Sequence, residues 1–343
     1  MRIAFFDTKP YDHLFFDDAL RSAGYEATWF EHKLTPDSVG LADGHEAVCV
    51  FVNDQVDASV IEGLYERGVR LIALRCAGYN NVDFHAAFGR IHVVRVLGYS
   101  PAAVAEHAAA MLLTLNRKTH RAFARTRDFN FSINGLMGFD LEGKTAGIVG
   151  TGRIGQILVR ILRGFGMRVI AYDPFPAAGS DIEYVPLEQL WRESDVISLH
   201  CPLTPDNHHF VDRDAIRLMK PGVILINTSR GALIDTDALL EGLRNRQIGG
   251  AGLDVYEEEA EFFFEDKSND ILADERLTLL LAFPNVLLTS HQGFFTREAM
   301  QAITETTVDN IRAFEQGAFL ENEICYQRMS GGCDRAETRK NCF

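Results

Sequence analysis

Residues 147–155 read GIVGTGRIG, and the reading of this stretch decides the fold. Gly150, Gly152 and Gly155 form a GxGxxG pattern that follows an apolar run of strand type and opens a helical pattern. In that context the first glycine makes a tight turn, the second lets the backbone approach a pyrophosphate, and the third allows a helix to pack closely on a strand. Arg153 and Ile154 then fall in the first helical turn, whose free N–H groups favour an anion. The next apolar run, RVIAYD, ends in Asp173, 18 residues past Gly155. That is about the interval at which a carboxylate meets a ribose 2′-hydroxyl, so the expected cofactor is NAD rather than NADP.

Outward from this loop the alternation continues. KTAGIVG, RVIAYD, DVISLH, VILINT, GGAGLDV and NVLLTS are apolar runs, each followed by a helix, loop or turn. Six such strands predict a doubly wound parallel sheet. The loop lies near residue 150, so a separate α/β unit precedes it: RIAFF, AVCVFV and RLIALR are strand-like, with helices expected at 11–23 and near 57–67. SPAAVAEHAAAMLLTLNR reads as a buried helix capped by Ser100, with Pro101 in its first turn, connecting the two units. Another long helix is expected over 295–314, followed by a polar, mobile tail.

A chain of 343 residues suggests about two domains, with a cleft between them. The formal net charge of −14 argues against nucleic acid and against anionic membranes as partners. The N-terminal stretch MRIAFFDTKP has too short an apolar run for a leader, and no run is long enough for a membrane span. Six cysteines show no CxxC pair and no zinc-like spacing, so a reduced, cytoplasmic chain is expected.

Ligands of such sheets bind at the carboxyl ends of strands. There the chain carries Arg230 after VILINTS, the glutamates Glu257 to Glu259 after LDVY, and His291 after VLLTS. A planar cation that grips a carboxylate or carbonyl, and a proton donor beside a carboxylate, are what hydride transfer to an oxo acid needs.

These residues, with RCAGYNNVD, YSPAAVAEHA, NRKTHRA, HCPLTPDN, INTSRGALID, LDVYEEE and FFEDKSND, resemble the D-isomer-specific 2-hydroxyacid dehydrogenases, closest to the bacterial fermentative D-lactate dehydrogenase branch. The resemblance runs to about residue 326. It implies two Rossmann-like or flavodoxin-like α/β domains, an NAD-binding domain at 100–297 inserted into a substrate domain of 1–99 and 298–343. Arg230, a glutamate 29 positions on and a histidine 61 positions on match the family's catalytic set, which selects Glu259 and His291. The same resemblance implies that Ala77 and Gly78 hold the substrate carboxylate and Tyr99 lines the pocket. Cys201, Pro202, Asn207, Thr228, Ser229 and Asp254 would line the cofactor, with Asp254 near the nicotinamide amide. Phe51 and Phe294 are further candidates for contact with substrate. The chain departs from the family at Leu97-Gly98, where Pro-Ala is expected, and at Gly293, where alanine is usual.

The implied activity is reversible, NAD-dependent reduction of a small 2-oxo acid, pyruvate first, to the D-hydroxy acid, by a homodimer or homotetramer. The same chemistry on a bulkier branched or aromatic 2-oxo acid is the nearest alternative. An NAD-sensing co-repressor is the alternative from another class. His200, Cys201, His208 and His209 lack ligand spacing, and no metal is expected. Glu257 and Glu258 read as a solvated face, and His107 as a residue that packs or hydrogen-bonds within its helix.

Overall fold

The computed structural model describes residues 1–177, 179–326 and 340–343. The chain divides into two compact units, Met1–Ser100 with Thr296–Phe343, and Pro101–Phe295.

The first unit is built on five parallel strands: β1 (Arg2–Phe5), β2 (Glu26–Trp29), β3 (Ala47–Val50), β4 (Leu71–Leu74) and β5 (His92–Val94). Their order is β2-β1-β3-β4-β5, the flavodoxin-like arrangement. β3 and β4 read as continuous apolar runs because they are covered on both faces. β2 and β5 were not expected. Each is a short flanking strand, and β2 (EATW) alternates exposed and half-buried residues, so it lacks the apolar run that marks its neighbours. The long helix Arg297–Glu315 belongs to this unit and is capped by the Thr296 hydroxyl, which accepts from the Ala299 N–H. The helix therefore begins at Arg297, two residues later than expected, and Phe294 and Phe295 precede it.

The second unit contains the six expected strands and one more: β6 (Thr145–Val149), β7 (Arg168–Tyr172), β8 (Glu183–Tyr184), β9 (Val196–Leu199), β10 (Val223–Asn227), β11 (Ile248–Leu253) and β12 (Val286–Leu288). All pair in parallel, in the order β12-β11-β10-β9-β6-β7-β8. The order reverses beside β6, which puts the glycine loop at the switch point of the sheet. Two apolar layers cover the sheet. One contains Leu190, Leu225, Leu239 and Leu253, the other Met111, Leu115, Leu158 and Ile226. The helix Pro101–Arg117 contributes Met111 and Leu115 to the second layer. No helix among the described residues is long and apolar enough to cross a membrane.

One cysteine expectation changes. Cys325 and Cys342 are joined in a disulfide, so the chain is not fully reduced. Spacing alone did not show this, because the two sulfurs meet only once the last residues fold back. Cys49, Cys76 and Cys201 are in no disulfide. Most of the tail expected to be mobile lies outside the described residues, but its end is docked: the Phe343 ring stacks on His92 at 4.3 Å, and the Cys342 N–H donates to Glu323 at 2.9 Å.

Candidate active site

The glycine loop is shaped by steric exclusion. A Cβ on Gly150, at φ +93°, would lie 2.7 Å from the His200 carbonyl, and one on Gly155 would lie 2.0 Å from the Gly150 oxygen. Those two glycines are demanded by the protein itself. Around Gly152, at the N-cap of the helix Arg153–Gly164, there is open space, which is what a pyrophosphate requires. Asp173 is oriented before any ligand arrives: its Oδ2 accepts from the Thr151 N–H at 2.7 Å and hydroxyl at 3.0 Å, and its Oδ1 from the Phe175 N–H at 2.8 Å. Tyr184, on the unexpected β8, holds the Thr151 hydroxyl at 2.9 Å. Thr151 and Tyr184 were missed because each reads as an ordinary polar residue until the sheet forms.

At the end of β10 the buried Thr228 hydroxyl has no hydrogen-bond partner among the described residues, as expected where a ligand group belongs. Ser229 donates to the Cys201 carbonyl at 2.5 Å, tying this loop to the one after β9. That loop is braced by Asn207, whose side chain donates to the Pro202 carbonyl at 2.8 Å and accepts from the Thr204 N–H at 2.7 Å. Burial pushes the Cys201 thiol up to about 11 and the His200 imidazole down to about 4, so both are neutral near pH 7. The donors present fit a dinucleotide.

Arg230 ends the loop after β10, half-buried, with its Nη1 on the Ser229 carbonyl at 2.7 Å and its own carbonyl held by Asn227 at 2.8 Å. Gly231 brings this loop against the next strand end. A Cβ there would lie 2.1 Å from the Tyr256 carbonyl carbon, so only glycine permits the approach. Beyond Tyr256 the chain turns, and Glu259 Oε2 accepts from the Tyr256 N–H at 3.0 Å. The other oxygen, Oε1, meets His291 Nδ1 at 2.7 Å. The two side chains are 16% and 19% exposed, open enough to be reached and enclosed enough to strengthen their attraction. His291 adopts φ +52°, a conformation costly for a residue with a Cβ, and its N–H is held by the Asp254 carbonyl at 2.7 Å.

Asp254 is 1% exposed, and its carboxylate is spent on Thr289, Gln292 and Gly293. Glu257 is not on a solvated face. It is half-buried, bonded to His209 Nε2 at 2.5 Å and accepting from the Thr236 hydroxyl at 2.9 Å, whereas Glu258 is exposed. His208, His209 and Glu257 bring three possible metal-ligand atoms within 4.8 Å of one another; His200 and Cys201 are not in that group. Phe294 is 9% exposed.

The first unit holds the remaining candidates. Ala77 and Gly78 follow β4, where the Ala77 carbonyl accepts from Arg95 at 3.0 Å and the Gly78 carbonyl from the Cys76 thiol at 3.3 Å. Phe51 follows β3, buried beneath the Arg75 guanidinium at 5.0 Å. Tyr99 is half-buried in the segment after β5.

Comparison with known proteins points to one family. The family described as "D-isomer specific 2-hydroxyacid dehydrogenase, NAD binding domain" matches residues 109–293. The D-lactate dehydrogenase of Escherichia coli (strain K12) is 52% identical over 329 residues, which are 94% of this chain and all of that protein. The solved apo-structure of that enzyme from Escherichia coli aligns with a TM-score of 0.85 and 48% identity, over 94% of this chain and 100% of the other. The structure of the pyruvate reductase of Chlamydomonas reinhardtii aligns at 0.89 with 42% identity, over 94% and 98%.

Proposed function

The chain belongs to the D-isomer specific 2-hydroxyacid dehydrogenase family, and from that premise we propose that it reduces pyruvate reversibly to D-lactate with NADH. The observation that carries the catalytic assignment is the contact of Glu259 Oε1 with His291 Nδ1 at 2.7 Å, on a loop neighbouring the one that ends in Arg230. Glu259 fixes which imidazole nitrogen faces inward, so the other, Nε2, is free to give its proton to the carbonyl oxygen. The Arg230 guanidinium stabilises the negative charge that develops on that oxygen and holds the oxo acid in one orientation. NAD, when bound, supplies the hydride. The glycine loop and the first turn at Arg153 and Ile154 receive its pyrophosphate, and Asp173 receives the ribose hydroxyls. Ala77 and Gly78 are the proposed holders of the substrate carboxylate, with Tyr99, Phe51 and Phe294 as apolar contacts.

We extend the proposal to a cytoplasmic homodimer or homotetramer. Support for self-association comes from Phe123, Phe129, Phe131, Ile133 and Met137, large apolar side chains exposed within one stretch of the second unit. The deciding experiment is kcat/KM with NADH over 2-oxo acids of graded size, at known oligomeric state. Pyruvate at the top is the expected result. A maximum at a branched or aromatic acid would move the substrate, and no NADH oxidation with any of them would favour a sensing role.

A further inference from the structure

His107 lies on the helix Pro101–Arg117, outside the Arg230, Glu259 and His291 set. Its Nε2 is 3.2 Å from Asp254 Oδ1 and 3.2 Å from the Thr289 hydroxyl oxygen. Asp254 in turn organises the whole segment that carries His291. Its Oδ1 accepts from the Thr289 hydroxyl at 2.5 Å and the Gln292 N–H at 2.9 Å, its Oδ2 accepts from the Gly293 N–H at 2.8 Å, and its backbone carbonyl holds the His291 N–H at 2.7 Å. One buried aspartate thus grips residues 289, 291, 292 and 293.

A buried carboxylate is costly unless it is hydrogen-bonded and paired with charge. Burial pushes the Asp254 carboxyl up, but the bond and charge of His107 and the bonds from Thr289 and Gly293 outweigh it, leaving it below the usual carboxylate range. The backbone also comes unusually close: a Cβ on Gly293 would lie 2.9 Å from Asp254 Oδ2 and 3.4 Å from His107 Cδ2. The left-handed conformation of His291 persists only if its surroundings enforce it.

We propose that His107 is a positioning residue for His291. By pairing with Asp254 it fixes the 289–293 segment, and so keeps His291 Nδ1 against Glu259. The inference rests on His291 being the proton donor, and it adds a requirement from the helix Pro101–Arg117.

The test measures kcat and KM for NADH in His107→Ala and His107→Gln, with single-turnover rates to isolate the chemical step. His107→Ala should lower kcat roughly tenfold with KM for NADH within about threefold, and His107→Gln, which keeps an N–H donor, should recover most of the loss. Glu259→Gln should cost less in the His107→Ala background than in the parent, because His291 is then no longer held against that carboxylate. Multiplying losses, or a lower Tm with unchanged kcat, would overturn the proposal and leave His107 a packing residue. Should the alanine variant fail to fold, His107→Asn, whose shorter side chain cannot reach Asp254, takes its place in the Glu259→Gln cycle. His291→Ala separates the premise from the inference: if that variant keeps its rate, it is the proton-donor reading that fails.

Discussion

Both sheets gather charged side chains at the carboxyl ends of their strands, but one seals them and the other leaves them within reach. In the first unit Asp7, Asp12, Asp54 and Arg75 are at most 2% exposed. Arg75 donates to the Asp7 carbonyl at 2.7 Å and faces Asp12 at 3.3 Å, while Asp54 accepts from the N–H groups of Leu34 and Phe51. In the second unit Glu259 and His291 have a comparably short contact, yet each keeps about a sixth of its side-chain surface open. Hydrogen bonding alone does not separate structure from chemistry. The sealed knot turns its charges on one another, even though Asp7 Oδ2 and Arg75 Nη1 have no hydrogen-bond partner among the described residues, whereas the open pair has a ring nitrogen left for a ligand.

The largest expected effect falls on the sealed side. Arg75→Met leaves buried carboxylates without their cation and should destabilise the protein by about 3–5 kcal/mol. Urea unfolding measures it; a loss below about 1 kcal/mol would mean that solvent reaches the knot after all.

On the open side, Arg230→Lys keeps the charge but loses the fork, and should reduce kcat/KM for pyruvate roughly 100-fold, about 2.7 kcal/mol, with little change in stability or NADH affinity. Equal weakening of pyruvate and NADH would make Arg230 structural, and the contrast between the units would collapse.

The knot should also show itself in pH dependence. Burial pushes the Asp54 carboxyl up to about 7, against the pull of Arg75 and of the Phe51 and Leu34 N–H groups. A raised folded-state pKa contributes stability that is full below the unfolded value of about 3.9 and is lost as pH rises through about 7. Asp54→Asn does not titrate, so the parent's advantage over it should shrink by roughly 2 kcal/mol between about pH 5 and pH 7. A constant gap in denaturation midpoints at the two pH values would show that Asp54 stays ionised, held by Arg75 and the two N–H groups.

Glu259→Gln preserves shape and removes charge, for an expected loss of about tenfold in kcat and none in Tm. The smallest effect belongs to Gly293→Ala. The methyl group must displace Asp254 or the segment by a few tenths of an ångström, so a stability loss below about 1 kcal/mol and a kcat within about threefold are expected. A larger loss of kcat than of stability would place this segment's precision nearer to the chemistry.

Legibility followed sequence distance and pattern. The five interior strands of the second unit could be read because strands covered on both faces are continuous apolar runs, and the half-buried edge strand β12 is itself apolar. β2, β5 and β8 could not, being short or half-exposed. Arg230, Glu259 and His291 were proposed because their residue types stand at strand ends, and Glu259 was selected among three glutamates by resemblance. Spacing on the chain could not distinguish Glu257 from its exposed neighbour Glu258, because only the fold turns Glu257 toward His209 and Thr236. The disulfide was equally hidden, since its two cysteines stand 17 residues apart without a motif.

What the sequence determined by itself was local: period, glycine placement, the charge types at strand ends, and therefore an α/β chain with a dinucleotide loop and a candidate hydride-transfer set. The tertiary structure alone decided which of those groups meet. Glu259 reaches His291 because β11 and β12 are adjacent in the sheet, Gly231 lets the Arg230 loop close on Tyr256, and His107 reaches Asp254 from a helix far upstream in the chain. The reason is physical. Local sequence fixes torsions and burial, whereas a contact between residues tens or hundreds apart exists only once packing has brought their strands and helices together.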